Sequence, residues 1–249
     1  MIPPVQLTLR RPGDMFFGRG CGVSEILIIF AVRNRITIHR MFSEHQTPKT
    51  LREILSQNCS PSDRLVAALE EAAVHVRVAK GKAVVRQGEV FGSFVFIRKG
   101  LFRVSHDNQV GEDTILFGTS GDVFTALHSY YANEPAVFSL IAVEDSEVWL
   151  VSFEDMRHIL SAYPDMMMWM HNLMIEQIYA FEKRYMFFSN KSAEERFINF
   201  LRDRYGSLRR APIKYISSIV PLKYIAQYLK ITQSTLSRLR KKLVSNQNE

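Results

Sequence analysis

The chain has 249 residues, 47% apolar and 23% charged, which is enough to bury one or two real cores and too balanced for wholesale disorder. Two cysteines, Cys21 and Cys59, cannot supply a disulfide framework, a four-cysteine iron–sulfur site or a zinc finger, and they fit a reducing, cytoplasmic setting. The formal net charge of +7 is uneven: 6 basic and 3 acidic residues in 1–48, 13 and 18 in 49–189, 13 and 4 in 190–249, so an acidic body carries a basic C-terminal piece.

Residues 1–48 read as a poorly ordered N-terminal extension. Arg10 and Arg11 precede a short apolar stretch with a faint likeness to a signal peptide, but Glu25 interrupts it and no small-residue cleavage site follows. Met41 is an alternative start. The longest apolar run, Ile26 to Val32, falls far short of the ~20 residues that cross a bilayer, so no membrane span is expected.

Ser60-Pro61-Ser62-Asp63 is a helix start, with a capping serine, proline at the first helical position and an acid in the first turn. Leu65, Val66 and Leu69 extend it to about Ala73. The period then changes to two, with Val74, Val76 and Val78 alternating with His75 and Arg77. Short strand-like runs follow at Ala83–Val85, Phe94–Ile97, Phe102–Val104, Thr114–Phe117, Phe138–Val143 and Val148–Val151, punctuated by glycines. This is the pattern of a small barrel or jelly roll over residues 49–163.

Helical period returns with a short helix over Asp155–Leu160. Pro164 then opens a long helix to about Phe188. Met167, Met170, Met174, Ile178, Phe181 and Tyr185 make a near-heptad seam on it, so residues 164–190 are read as a dimerisation helix. Ser192-Ala193-Glu194-Glu195 is a capping box for a helix to about Arg204, closed by Gly206; Ile213 to Val220 reads as a strand or ribbon.

The segment PLKYIAQYLKITQSTLSRLRKKL, Pro221 to Leu243, carries the function. Its first helix, Pro221 to Leu229, buries Ile225, Ala226 and Leu229. Lys230-Ile231-Thr232 is the turn, and Thr232 caps a second helix whose Leu236, Leu239 and Leu243 face inward. Gln233, Ser234, Ser237, Arg238 and Lys241 are left pointing outward. This is a helix-turn-helix layout, in residues 191–249, with a polar recognition surface. Arg238 can pair bidentately with guanine and Gln233 with adenine; Ser234 and Thr235 can reach bases or phosphates. Lys223, Arg240, Lys241 and Lys242 supply phosphate charge. The DNA-binding set is therefore Thr232, Gln233, Ser234, Thr235, Ser237, Arg238, Lys241 and Lys223, and double-stranded DNA is the expected partner.

No Walker loop, GxSxG or HExxH occurs, and the seven histidines show no metal-ligand spacing. No enzyme activity, metal or cofactor is expected; haem ligation by His128 or His171 lacks any supporting motif.

With these segments in place, the arrangement resembles the Crp/Fnr superfamily of transcription regulators. The resemblance runs from about Leu51 to Leu243. It rests on KGKAVVRQGEVFGSFVFIRKGLFRV (Lys80 to Val104), GDVFTAL (Gly121 to Leu127), the helix after Tyr163-Pro164-Asp165, SAEERFINFL (Ser192 to Leu201) and IAQYLKITQSTLSRLRKKL. It implies an α+β chain: an N-terminal β jelly roll of cyclic-nucleotide-binding type, a long dimer helix and a C-terminal winged-type helix-turn-helix. It also implies a homodimer, a small-molecule effector and RNA polymerase as a further partner.

This sequence departs from the family at three places. The Gly-Glu of the phosphate cassette falls on Thr125 and Ala126, and its Arg-Ser near Ala136 and Val137, so the charges that hold a cyclic nucleotide are missing and tight cyclic AMP binding is not expected. The cysteine set of the oxygen sensors is absent. The turn residue that is usually glycine is Lys230, and little chain follows the recognition helix, so the wing is expected to be shortened or absent. The resemblance makes Thr125, Ala126, His128, Ala136 and Val137 the effector-pocket candidates, with Phe181 and Glu182 where the long helix would cover them. The other reading of the residues is a scaffolding module whose helix-turn-helix contacts protein.

Overall fold

The computed structural model describes residues 49–108, 111–189, 191–205, 217 and 220–247. The N-terminal extension, Gly206 and nearly all of the expected Ile213–Val220 ribbon lie outside the described residues.

Helices α1 (Leu51–Leu55) and α2 (Asp63–Ala72) precede eight strands. These are β1 (Val74–Val78), β2 (Ala83–Val85), β3 (Ser93–Lys99), β4 (Leu101–Asn108), β5 (Gly111–Thr119), β6 (Val123–Phe124), β7 (Ser139–Ala142) and β8 (Ser146–Ser152), with the short helix α3 (Leu127–Ala132) after β6. Then come α4 (Phe153–Ala162), α5 (Pro164–Ser189), α6 (Ala193–Tyr205), α7 (Leu222–Tyr228) and α8 (Gln233–Gln247). The expected strands of the barrel are present: β1 and β2 have the expected bounds, β7 is shorter than the expected Phe138–Val143, and β3, β4, β5 and β8 are longer. The starts shift where caps decide them: Ser62, not Ser60, accepts from the Leu65 amide, so Pro61 lies outside α2, and Ser152 caps α4 at Phe153. Helices α1 and α3 and strand β6 are additions to the sequence reading.

The strands form two four-stranded antiparallel sheets, ordered β1-β8-β3-β6 and β2-β7-β4-β5. Alternation puts Val95, Ile97, Val148 and Phe124 of the first sheet into the barrel interior against Phe102, Val104, Phe138 and Leu140. The other face of that sheet carries Phe94, Phe96, Val123 and Val151, and it is covered by α1, α2, α4 and α5. Gly100, at φ 111°, joins β3 to β4; a side chain there would fall onto Ser146.

Helix α5 sits on that outer face through Met166, Trp169 and Leu173, with the Trp169 ring stacked 6.1 Å from Phe96. Its first turn is fixed to α2: the Ser62 amide donates to Asp165 at 2.8 Å. That hydrogen bond from the Ser62 backbone holds the Asp165 carboxyl below its usual range. The expected seam is only partly free. Met170 and Met174 pack against the barrel-side core, whereas Met167, Met168, Ile175, Ile178, Tyr179, Tyr185 and Met186 each remain more than half exposed.

The helical C-terminal part has its own core of Phe197, Phe200, Leu201, Ile225, Leu229, Leu236, Leu239 and Leu243. It is continuous with the barrel through Phe117 and Tyr228, whose rings are 5.7 Å apart.

Candidate nucleic-acid interface and effector pocket

Helix α6 begins with the reciprocal capping box read from the sequence: the Ser192 amide donates to Glu195 at 2.7 Å and the Glu195 amide to Ser192 Oγ at 3.2 Å. The backbone hydrogen bond from Ser192 holds the Glu195 carboxyl below its usual range. From α6, Arg196 donates to the Lys191 carbonyl at 3.0 Å and to the Lys230 carbonyl at 3.2 Å, so it ties the segment after α5 to the helix-turn-helix turn.

Ile225 of α7 and its C-cap Leu229 are fully buried and Ala226 is nearly so, which lets α8 cross closely. The turn closes with Lys230 at φ 54°, the left-handed conformation, and its amide donates to the Gln227 carbonyl. Ile231 is half-buried against the core. Thr232 Oγ1 accepts from the Thr235 amide at 3.1 Å and starts α8.

The outward set falls into two groups. Gln233, Ser234, Arg238 and Lys241 are exposed along α8, as is Lys223 on α7. Ser237 is half-buried. Thr232 and Thr235 share a hydroxyl contact at 2.8 Å and Thr232 and Ser234 one at 2.9 Å, so these hydroxyls form a network around the cap. Lys242 is paired with Glu194 of α6 at 2.8 Å, which draws one of the expected phosphate charges into holding α6 to α8.

The cassette region is small and apolar. Thr125 is buried and its hydroxyl is spent on the Ser93 carbonyl at 3.2 Å. Ala126 is buried at the start of α3 and makes no side-chain cap. Asn133 closes α3 at φ 54°. Ala136 is buried and exchanges backbone hydrogen bonds with the 88–89 turn: the Ala136 amide donates to the Glu89 carbonyl, and the Gly88 amide donates to the Ala136 carbonyl, both at 2.8 Å. The half-buried Val137 accepts from His106 Nδ1 at 2.8 Å, which fixes Nδ1 as a protonated ring nitrogen.

His128 is turned toward solvent, 3.4 Å from Glu134, and Glu182 is exposed on α5. The Phe181 side chain lies outside the described residues. An open groove of about 640 Å³, lined by residues including Lys82, Arg86, Gln87, Glu89 and Asp107, involves none of the seven pocket candidates. Among the described residues no cluster of metal-ligating side chains occurs, and no helix is long and apolar enough to cross a membrane.

The sequence reading missed the polar face of α7 and the turn after it. Tyr224 and Gln227 of α7 and Lys230 of the turn all engage the barrel. Their partners lie more than a hundred residues earlier, so no local signal could have marked them. Only the polar residues interleaved among Ile225, Ala226 and Leu229 hinted at a second contact.

Residues 75–163 match the family model described as "Cyclic nucleotide-binding domain". The electron transport regulator A of Shewanella oneidensis is 27% identical over 168 residues, and the chain spans 65% of that relative's length. Among solved structures, FixK2 of Bradyrhizobium japonicum superposes with a TM-score of 0.57 at 17% identity, over 70% of this chain and 85% of that one. The c-di-GMP responsive global regulator CLP of Xanthomonas campestris gives 0.59 at 14%, over 74% and 93%. A CooA variant from Carboxydothermus hydrogenoformans gives 0.56 at 16%, over 83% and 88%. What these structures share with this chain is the fold.

Proposed function

We propose that this chain, which carries a cyclic nucleotide-binding domain over residues 75–163 in a Crp/Fnr-type fold, is a homodimeric, sequence-specific DNA-binding transcription regulator. The observation that carries this reading is α8: a helix capped by Thr232, anchored by Leu236, Leu239 and Leu243, with Gln233, Ser234, Arg238 and Lys241 free of the core on one exposed surface. Such a helix fits the major groove, where Arg238 has the geometry to read guanine O6 and N7.

The exposed apolar face of α5 supports pairing of two copies. An apolar strip of this kind is costly to leave in water, and its residues recur at coiled-coil spacing. Pairing along α5 would set two recognition helices about one DNA turn, ~34 Å, apart over a palindromic site. RNA polymerase is the natural further partner of a regulator of this kind, and the cytoplasm its compartment.

The barrel is the sensor half of the reading. With Ala126 and Ala136 where the carboxylate and guanidinium would stand, a cyclic phosphate would be buried without its charge partners, so cyclic AMP is not its ligand. Any effector acts by favouring one dimer geometry over another.

The test is binding of the full chain to a selected duplex. Arg238→Ala is expected to weaken specific binding by ~1–3 kcal/mol and to relax one base position. Equal loss on every sequence would place Arg238 on phosphate, and an unchanged affinity would remove α8 as the reading helix.

A further inference from the structure

The polar face of α7 lies on the barrel. Gln227 spans the joint: its Oε1 accepts from Thr114 Oγ1 at 2.7 Å, and its Nε2 donates to the Glu112 carbonyl. Both partners are on β5, an edge strand whose only neighbour in the sheet is β4. Lys230 Nζ reaches Asp113 at 2.8 Å. The Tyr224 ring lies 4.3 Å from the Arg103 guanidinium, which pairs in turn with Glu112.

This contact is built to separate. Beside the ring contact of Phe117 with Tyr228 it is made by the polar groups of Gln227, Lys230 and Arg103, and the Lys230–Asp113 pair is partly exposed on both sides. Arg103 is only 5% exposed, and its Nη1 has no hydrogen-bond partner. A buried charge left partly unsatisfied lowers the advantage of the closed arrangement. The charges are also complementary: the β4–β5 hairpin presents Asp113 to Lys230 of a C-terminal part with 13 basic and 4 acidic residues, whereas Asp107 of the same hairpin lines the groove beside Gln87.

We propose that the β4–β5 hairpin is an intrachain clamp on the helix-turn-helix, which DNA must displace. The proposal rests on the DNA-binding reading above. The first helix of a helix-turn-helix crosses the sugar–phosphate backbone. On α7, Lys223 and Gln227 stand one helical turn apart, and Gln227 is already committed to β5. The Asp113 carboxylate, held on Lys230, stands next to this face and repels phosphates that approach it. Meanwhile the base-reading side chains of α8 stay exposed, so the clamp restrains the helix that meets the backbone and leaves the reading surface ready.

Four full-length proteins test this: wild type, Asp113→Asn, Asp113→Asn with Thr114→Val, and Asp107→Asn as a charge-matched control on the same hairpin. Each is titrated against a random-sequence DNA duplex, and amide exchange over residues 111–115 is followed with and without that duplex. The double variant is expected to bind roughly tenfold tighter than wild type, Asp113→Asn a few-fold tighter, and Asp107→Asn unchanged. DNA is expected to speed exchange in the wild-type hairpin. Equal affinities with hairpin exchange unmoved by DNA would overturn the clamp while leaving DNA binding intact, as would an equal gain in Asp107→Asn, which would reflect net charge alone. No binding by any of the four would overturn both readings.

Discussion

Lys230 carries two opposing effects at one position. A residue with a Cβ pays roughly 1 kcal/mol to hold the left-handed conformation at φ 54°, where glycine pays almost nothing. Against that, its ammonium pairs with Asp113 in a contact about half open to water, of a kind worth between nothing and about 1 kcal/mol. Strain is the larger effect, so Lys230→Gly is expected to be neutral to stabilising by up to about 1 kcal/mol in urea unfolding. A loss of more than 1 kcal/mol would show that the cross-contact to the barrel outweighs the backbone cost. The sequence located this position as one that favours glycine. It could not show that the lysine had a carboxylate waiting on β5, because Asp113 lies 117 residues earlier.

At the scale of elements, what was legible was whatever repeats locally. Alternating valines gave β1, the Ser192–Glu195 box gave the start of α6, and the leucine spacing with Thr232 gave α8. The elements that escaped, α1, α3 and β6, are two to six residues long and owe their form to neighbours; β6 is a strand because Val123 and Phe124 pair with Phe96 and Val95. The α5 seam was half legible. Spacing found an apolar helix, but Met170 and Met174 serve the barrel, and the free face instead includes Met168, Ile175 and Tyr179. One apolar pattern served two partners, and periodicity does not separate them. If that free face joins two copies, Ile178→Glu places a charge in the joint without touching the core. Sedimentation is expected to show a dimer for the wild type and a monomer for the variant, with helix content unchanged. A dimer in both would move the interface elsewhere.

At the scale of the whole molecule, an acidic barrel carries the apolar helix α5 on its outer face and meets the basic helix-turn-helix where β5 packs against α7. Residues 75–163 match a cyclic nucleotide-binding domain, and in the proposed reading the phosphate cassette falls on Thr125, Ala126, Ala136 and Val137, none of which carries a charge. DNA reading by this protein is therefore expected to be independent of cyclic nucleotide. The most direct test is selection of bound duplexes from a randomised pool by the purified full chain, run once without and once with added cyclic AMP. The expected result is one enriched palindrome with half-sites about one helical turn apart, the same in both runs. Enrichment only with cyclic AMP present would contradict the reading of the barrel, and no enriched sequence in either run would contradict the central claim that this protein reads DNA.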